Sequence, residues 1–220
     1  MKVRILGSMT SIAVAAVVLA GCATSTPQSG PSFFVTSAGA GKGADFGGLT
    51  GADKHCQTLA TAAGLGDRTW HAYLSATAAG STPAVNARDR IGSGPWRNVK
   101  GVVIATNVDE LHGDNNITKQ TALTEKGTVV SGRGDTPNQH DILTGTQPNG
   151  TAFTGTDDKT CGNWTKSGEG TAIVGHVDRQ GNSPPPAGSS WNSSHASAGC
   201  SDAALVKTGG AGFLYCFAVK

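Results

Sequence analysis

Apolar positions in this chain come in short runs, and only one stretch keeps a helical period. Ala52, Cys56, Leu59, Ala60 and Ala63 fall on one stripe of an α-helix, with Thr50 placed to cap its start, Asp53 three residues on and Gly64 to end it. Elsewhere the pattern is strand-like. Phe33–Ser37 opens the series, and Thr69–Ser75 alternates, with Trp70, Ala72 and Leu74 on one face and His71 and Tyr73 on the other. Val99–Ala105 and Gly127–Gly132 read as further strands, and Gly212–Val219 as a central one carrying Cys216. Pro83–Ile91 and Asn107–Leu111 suit short helical turns, and Ser167–Ser190 reads as loop. Between them, Ile142–Thr146 has strand composition, Gln147-Pro-Asn-Gly150 has turn chemistry, and a Gly/Thr run leads to Cys161 and Trp164. The expectation is an α+β domain of short strands, one main N-terminal helix and long loops.

The N-terminus belongs to a different economy. Lys2 and Arg4 precede an apolar segment, Ile12–Leu19, which runs into Leu19-Ala20-Gly21-Cys22. That order resembles a bacterial lipobox: residues 1–21 a signal peptide, Cys22 the lipidated first mature residue, 22–32 a flexible tether and 33–220 the domain. Ala23, rather than Asp, after the lipid cysteine resembles the outer-membrane sorting pattern. The implied place is the cell envelope, lipid-anchored.

Removing Lys2 and Arg4 leaves 15 basic against 15 acidic residues, and no basic block appears. Nucleic acid is therefore not an expected partner. With Cys22 set aside, Cys56, Cys161, Cys200 and Cys216 remain. An even number in an exported domain implies two disulfides, with three pairings open.

Gly51-Ala-Asp-x-x-Cys56, Ala63-Gly-Leu65, His71-Ala-Tyr-Leu-Ser75, Gly145-Thr-x-Pro-Asn-Gly150, Cys161-x-x-Trp164, Cys200 and Leu214-Tyr-Cys-Phe217 together resemble endostatin, the C-terminal domain of collagens XV and XVIII. The layout is closer to the bacterial endostatin-like lipoproteins, the leptospiral Len family. The resemblance implies a C-type-lectin-like fold, bridges Cys56–Cys216 and Cys161–Cys200, and a non-catalytic, monomeric module adhering to extracellular-matrix or host proteins. Glycan binding and a purely structural envelope role are the alternatives.

Candidate ligand positions follow from chemistry. Gln147, Asn149, Asp157 and Asp158 could supply oxygens to Ca²⁺ in a sugar-binding arrangement. Arg88, Arg90 and Arg97 are the nearest approach to a polyanion patch, and Trp191, in a Ser/Asn loop, is a candidate exposed aromatic. The six histidines show neither HxH nor HExxH spacing, so no metal is expected and any such site would have to be assembled by the fold. His140-Asp141 are adjacent, which on a strand would point them apart. Neither they nor Ser190, Ser193 and Ser194 beside His195 form a nucleophile–base pair, and no enzyme is expected.

Overall fold

A computed structural model describes residues 30–219, together with Met1 and Val3. Cys22 and most of the segments expected to be signal peptide and tether lie outside the described residues. No helix among the described residues is long and apolar enough to cross a membrane.

The organising strand is β8, Gly210–Ala218, nine residues long and buried on both faces except at Ala211. It pairs antiparallel with β1 (Phe33–Val35) and β2 (Trp70–Ala72), and parallel with β5 (Asp141–Leu143). β5 continues the sheet antiparallel to β6 (Ile173–His176), and β6 to β7 (His195–Ala196). A separate ribbon joins β3 (Trp96–Arg97) and β4 (Val103–Ala105). The molecule is a mixed α+β fold, as the pattern of short runs predicts.

Because side chains alternate across a strand, β8 feeds two cores. Leu214, Cys216 and Ala218 join Phe34, Trp70, Trp164 and the long helix on one side. Phe213, Tyr215 and Phe217 join Phe33, Tyr73, Trp96 and Trp191 on the other. Tyr73, just past β2, is fully buried and His71 is partly buried, so the face opposite Trp70 and Ala72 is covered at its far end.

The long helix spans Gly48–Ala62, with Ala52, Cys56 and Ala60 inward. It starts earlier than Thr50: Gly47, at φ 76°, is the cap, and its N–H donates to Asp45 Oδ1 at 3.0 Å. Asp53 does not close a capping box. Its carboxylate accepts from Ala72 N at 2.9 Å and pairs with Arg90 at 2.7 Å, tying the helix to β2.

Both bridges form as the resemblance implies, Cys56–Cys216 across 160 positions and Cys161–Cys200 across 39. The first pins the helix to β8. The second holds a left-handed turn in which Cys161, Gly162, Asn163 and Trp164 all have positive φ. Such a turn costs a non-glycine residue about 1–2 kcal/mol. It is held by side chains: Asp158 accepts from Gly162 N, and Thr160 Oγ1 from Asn163 N. Trp164 Nε1 donates to Ser75 O at 2.7 Å.

Three local expectations are corrected and a fourth is refined. Val99–Ala105 is not one strand, because Asn98 turns the chain with its Oδ1 accepting from Lys100 N and Val102 N. Gly127–Gly132 contributes only a bridge of Val129 to Leu123. Pro83–Ile91 shortens to one turn, Ala87–Asp89. Ser167–Ser190 is mostly loop as expected, but it also contains β6, which the surrounding Gly/Ser/Pro composition hides.

Candidate metal centre

The far end of the sheet gathers three of the six histidines. In the β5–β6 ladder Asp141 is the direct partner of His176, and in the β6–β7 ladder His195 is the partner of Val174. Residues directly opposite share a face, and so do residues two apart on one strand. Asp141, His176 and His195 therefore project from the same side. His140 precedes β5, and the pairing of β5 with β8 shifts register just after Asp141. Released from the ladder, the His140 ring turns back toward its neighbour. The rule that adjacent strand residues diverge fails here because the strand begins between them.

The result is a convergence on one oxygen. His140 Nε2 lies 3.3 Å from Asp141 Oδ1, His176 Nε2 3.3 Å and His195 Nε2 3.5 Å. Ligand atoms from His140, Asp141 and His176 all lie within 4.8 Å of one another. The His140 and His176 rings are stacked, with centroids 4.3 Å apart, and His195 meets His176 edge-on at 5.0 Å. The carboxylate is 1 % exposed, and His195, at 34 %, is the open side of the cluster.

Each imidazole is oriented by an acceptor at its other nitrogen. His140 Nδ1 meets Asp178 Oδ1 at 3.0 Å, His176 Nδ1 meets Gly188 O at 2.9 Å, and His195 Nδ1 meets Ala196 O at 3.0 Å. Those contacts favour a ring proton on Nδ1, and a neutral ring so held has its Nε2 lone pair facing inward. Asp178 is itself fixed by the backbone N–H groups of Arg133 and Gln180. Gly181 packs so closely that a Cβ there would come within 2.6 Å of His176 Cε1.

Three Nε2 atoms thus face a carboxylate. Asp141 Oδ1, Asp141 Oδ2 and His176 Nε2 are buried without a hydrogen-bond partner among the described residues. Burial pushes the Asp141 carboxyl up, but His176 and His195 outweigh it and hold the group below its ordinary value. For His195 a hydrogen bond to Asp141 raises the imidazole, against burial. Burial also opposes ionisation of Asp178, yet His140 and two backbone N–H donors bring it down to about 2.

What such a set can do chemically is hold a divalent cation. Zinc takes imidazole nitrogen and carboxylate oxygen at 2.0–2.2 Å in a tetrahedron, and a tetrahedron of that size has edges of about 3.3–3.4 Å. The 3.3 Å separations of His140 Nε2 and His176 Nε2 from Asp141 Oδ1 match two such edges; His195 Nε2, 3.5 Å from the same oxygen, lies outside the group of three whose ligand atoms are all within 4.8 Å of one another.

The residues singled out in the sequence go elsewhere. Asn149 Oδ1 accepts from Thr151 N and Oγ1, and Gln147 Nε2 donates to Thr151 Oγ1 and Ala152 O, so both build the turn. Asp158 caps the left-handed turn and pairs with Lys166, while Asp157 faces Lys159 at 3.7 Å. The turn amides and the two carboxylates share no hydrogen bond among the described residues. Arg90 is engaged by Asp53 and by Ala72 O, Arg88 by Asn149 O and Asp109, and Arg97 by Gly101 O. Trp191 is not exposed. It is 3 % accessible and packs on Tyr73 and Tyr215, with ring centroids 4.8 and 5.2 Å away.

The cluster has little signature in the sequence, since its members are separated by 35 and 19 positions. Residues 140–196, which carry β5, β6 and β7, hold three histidines and four aspartates, and nothing in their spacing singles out the cluster.

Compared with protein-family models and with curated proteins, the chain matches none.

Proposed function

We propose that this protein is a divalent-metal-binding module of the cell envelope, with His140, Asp141, His176 and His195 as the ligands of one zinc-class ion. The observation that carries this is the convergence of the His140, His176 and His195 Nε2 atoms on one buried Asp141 oxygen. An unpaired buried charge costs several kcal/mol unless a partner neutralises it, and a cation among four inward lone pairs removes that cost. Nitrogen-rich ligands favour zinc over calcium, which takes oxygen. Four protein ligands fill a tetrahedron, the arrangement of sites that hold a structure or a ligand-binding surface rather than those that leave a position open for hydrolysis. This supports a binding protein over an enzyme.

The wider setting is part of the same proposal. The lipobox-like order at Leu19–Cys22 supports a lipid anchor, and the ordered motifs from Gly51 to Phe217 support an endostatin-like module presented for adhesion to matrix or host proteins. Calcium-dependent sugar binding is less favoured, because Asn149 Oδ1 is already engaged by Thr151.

The test is equilibrium zinc binding to metal-stripped protein. One zinc per chain is expected, with binding lost in His176→Ala and weakened at least tenfold in Asp141→Asn. Zinc binding that neither substitution changes would contradict the assignment.

A further inference from the structure

The candidate centre is not sealed. Its three imidazoles form the floor of a cavity of about 620 Å³, whose walls include Arg133, Asn138, Asn182 and Lys207. No acidic side chain lines it. The two carboxylates of the site stand behind the rings, Asp141 against the inward nitrogens and Asp178 against the outward Nδ1 of His140. Both are buried, with side chains 1 % and 0 % exposed. The wall residues are also braced: Arg133 donates to Asn182 Oδ1 from its guanidinium and to Asp178 Oδ2 from its backbone.

The charge balance of this pocket depends on the metal. Without an ion, the two carboxylates offset Arg133 and Lys207. A divalent cation offsets the carboxylates instead, and the two wall cations are left facing an open, polar cavity. Bound cations are often the largest charges in a site, and concave walls focus their field. The cavity is far larger than one ion, and its amides can accept and donate hydrogen bonds to a polar scaffold.

We infer that this cavity binds an anionic ligand, an oxyanion group (phosphate or carboxylate) carried on a polar molecule, and that it does so only when the metal is in place. The inference rests on the metal reading above. Arg133 and Lys207 hold the oxyanion, the metal supplies the field beneath it, and Asn138 and Asn182 face the remainder of the ligand. Coupling of this kind is reciprocal, so the oxyanion tightens metal binding by the factor by which the metal tightens the oxyanion.

Calorimetric titration of the purified protein with inorganic phosphate, and separately with acetate, tests this in metal-stripped and zinc-loaded forms. Saturable binding is expected in the zinc-loaded form alone, and the tighter probe names the oxyanion. Arg133→Gln with Lys207→Gln should weaken that binding by about tenfold, as two solvent-facing charges would. The visible spectrum of the cobalt-substituted double variant should match that of the unaltered protein, showing the metal site intact. Zinc binding without a response to either anion, or equal anion binding with and without zinc, would overturn the inference and leave the metal reading standing. Failure to bind zinc or cobalt at all would overturn both.

Discussion

Two buried polar regions lie on the same face of the sheet and are finished differently. Around the left-handed turn, Trp164 Nε1 reaches Ser75 O, Asn163 bridges to the backbone of Thr77 through both ends of its amide, and Asp158 caps Gly162. A disulfide closes it. That region satisfies its own chemistry. At the other end, three imidazoles are each satisfied on the outer nitrogen and left with the inner one against Asp141. The same sheet supplies both frames. The difference is that the first region closes on its own groups, while the second leaves the inner nitrogens and the Asp141 oxygens for the proposed metal.

Breaking the self-satisfied region should have the largest effect. The Cys56–Cys216 bridge closes a loop of 160 positions and the Cys161–Cys200 bridge one of 39. Chain-entropy reasoning assigns them about 5 and about 4 kcal/mol. Against an ordinary stability of about 5–15 kcal/mol, Cys56→Ser with Cys216→Ser should leave the domain barely folded at 37 °C. A thermal melt reads this, and an unchanged midpoint would contradict the assigned role of the outer bridge.

Zinc should move stability by the next largest amount. An ion at 100 times its dissociation constant adds about 2.7 kcal/mol, which in a domain of this size raises the midpoint by roughly 5–10 °C. His176→Ala should abolish the shift. Calcium in place of zinc should give no comparable shift.

Single polar deletions sharpen the contrast, because only the second region should answer differently with and without metal. Trp164→Phe strands Ser75 O and should cost about 1–3 kcal/mol with or without metal. Asp141→Asn in metal-stripped protein removes a carboxylate whose ionised form the neighbouring imidazoles favour, and should lower the midpoint slightly. In zinc-loaded protein the same change should lower it by much more. Equal destabilisation in both forms would make Asp141 an ordinary structural acid.

The smallest effects are in pH. For His195 the folded-state value is raised, so its contribution to stability is complete below its ordinary value of 6.5 and is lost as pH rises through the folded value. Metal-stripped protein should therefore weaken gently as pH climbs above 6.5. Zinc-loaded protein should do the reverse over the same range, since the metal needs neutral imidazoles. Asp178 is depressed from 3.8 to about 2, so what it contributes is present above the ordinary carboxylate value and is lost as pH falls from about 4 toward 2. Stability curves in the presence and absence of chelator check all three signs.

Much of the frame is legible in the sequence, and the site is not. The stripe at Ala52, Cys56 and Ala60 and the apolar run at Gly212–Val219 announce the helix and the central strand, because burial writes a period into the chain. The even cysteine count and the motif order give the two bridges. β6 escapes because Ile173–His176 is only four residues among glycines, serines and prolines, and its strand character comes from pairing with β5 rather than from its own composition. Trp191 reads as exposed from its Ser/Asn neighbours but is drawn under by Tyr73 and Tyr215. The helix Asp202–Thr208, capped by Ser201, is likewise too short to leave a period. His140, His176 and His195 carry no metal-binding spacing, since three strands with two different connections bring them together. A constellation made by sheet register is invisible until the register is known.

X-ray absorption at the zinc edge of the loaded protein tests the central claim most directly. The structure predicts one site with about four nitrogen and oxygen neighbours near 2.0–2.1 Å, the multiple-scattering pattern of three imidazoles, and no sulfur. His195→Ala should remove one imidazole from that pattern and keep the other two. A spectrum with mostly water oxygens, or one unchanged in His140→Ala, His176→Ala and His195→Ala alike, would place the metal elsewhere and contradict the account.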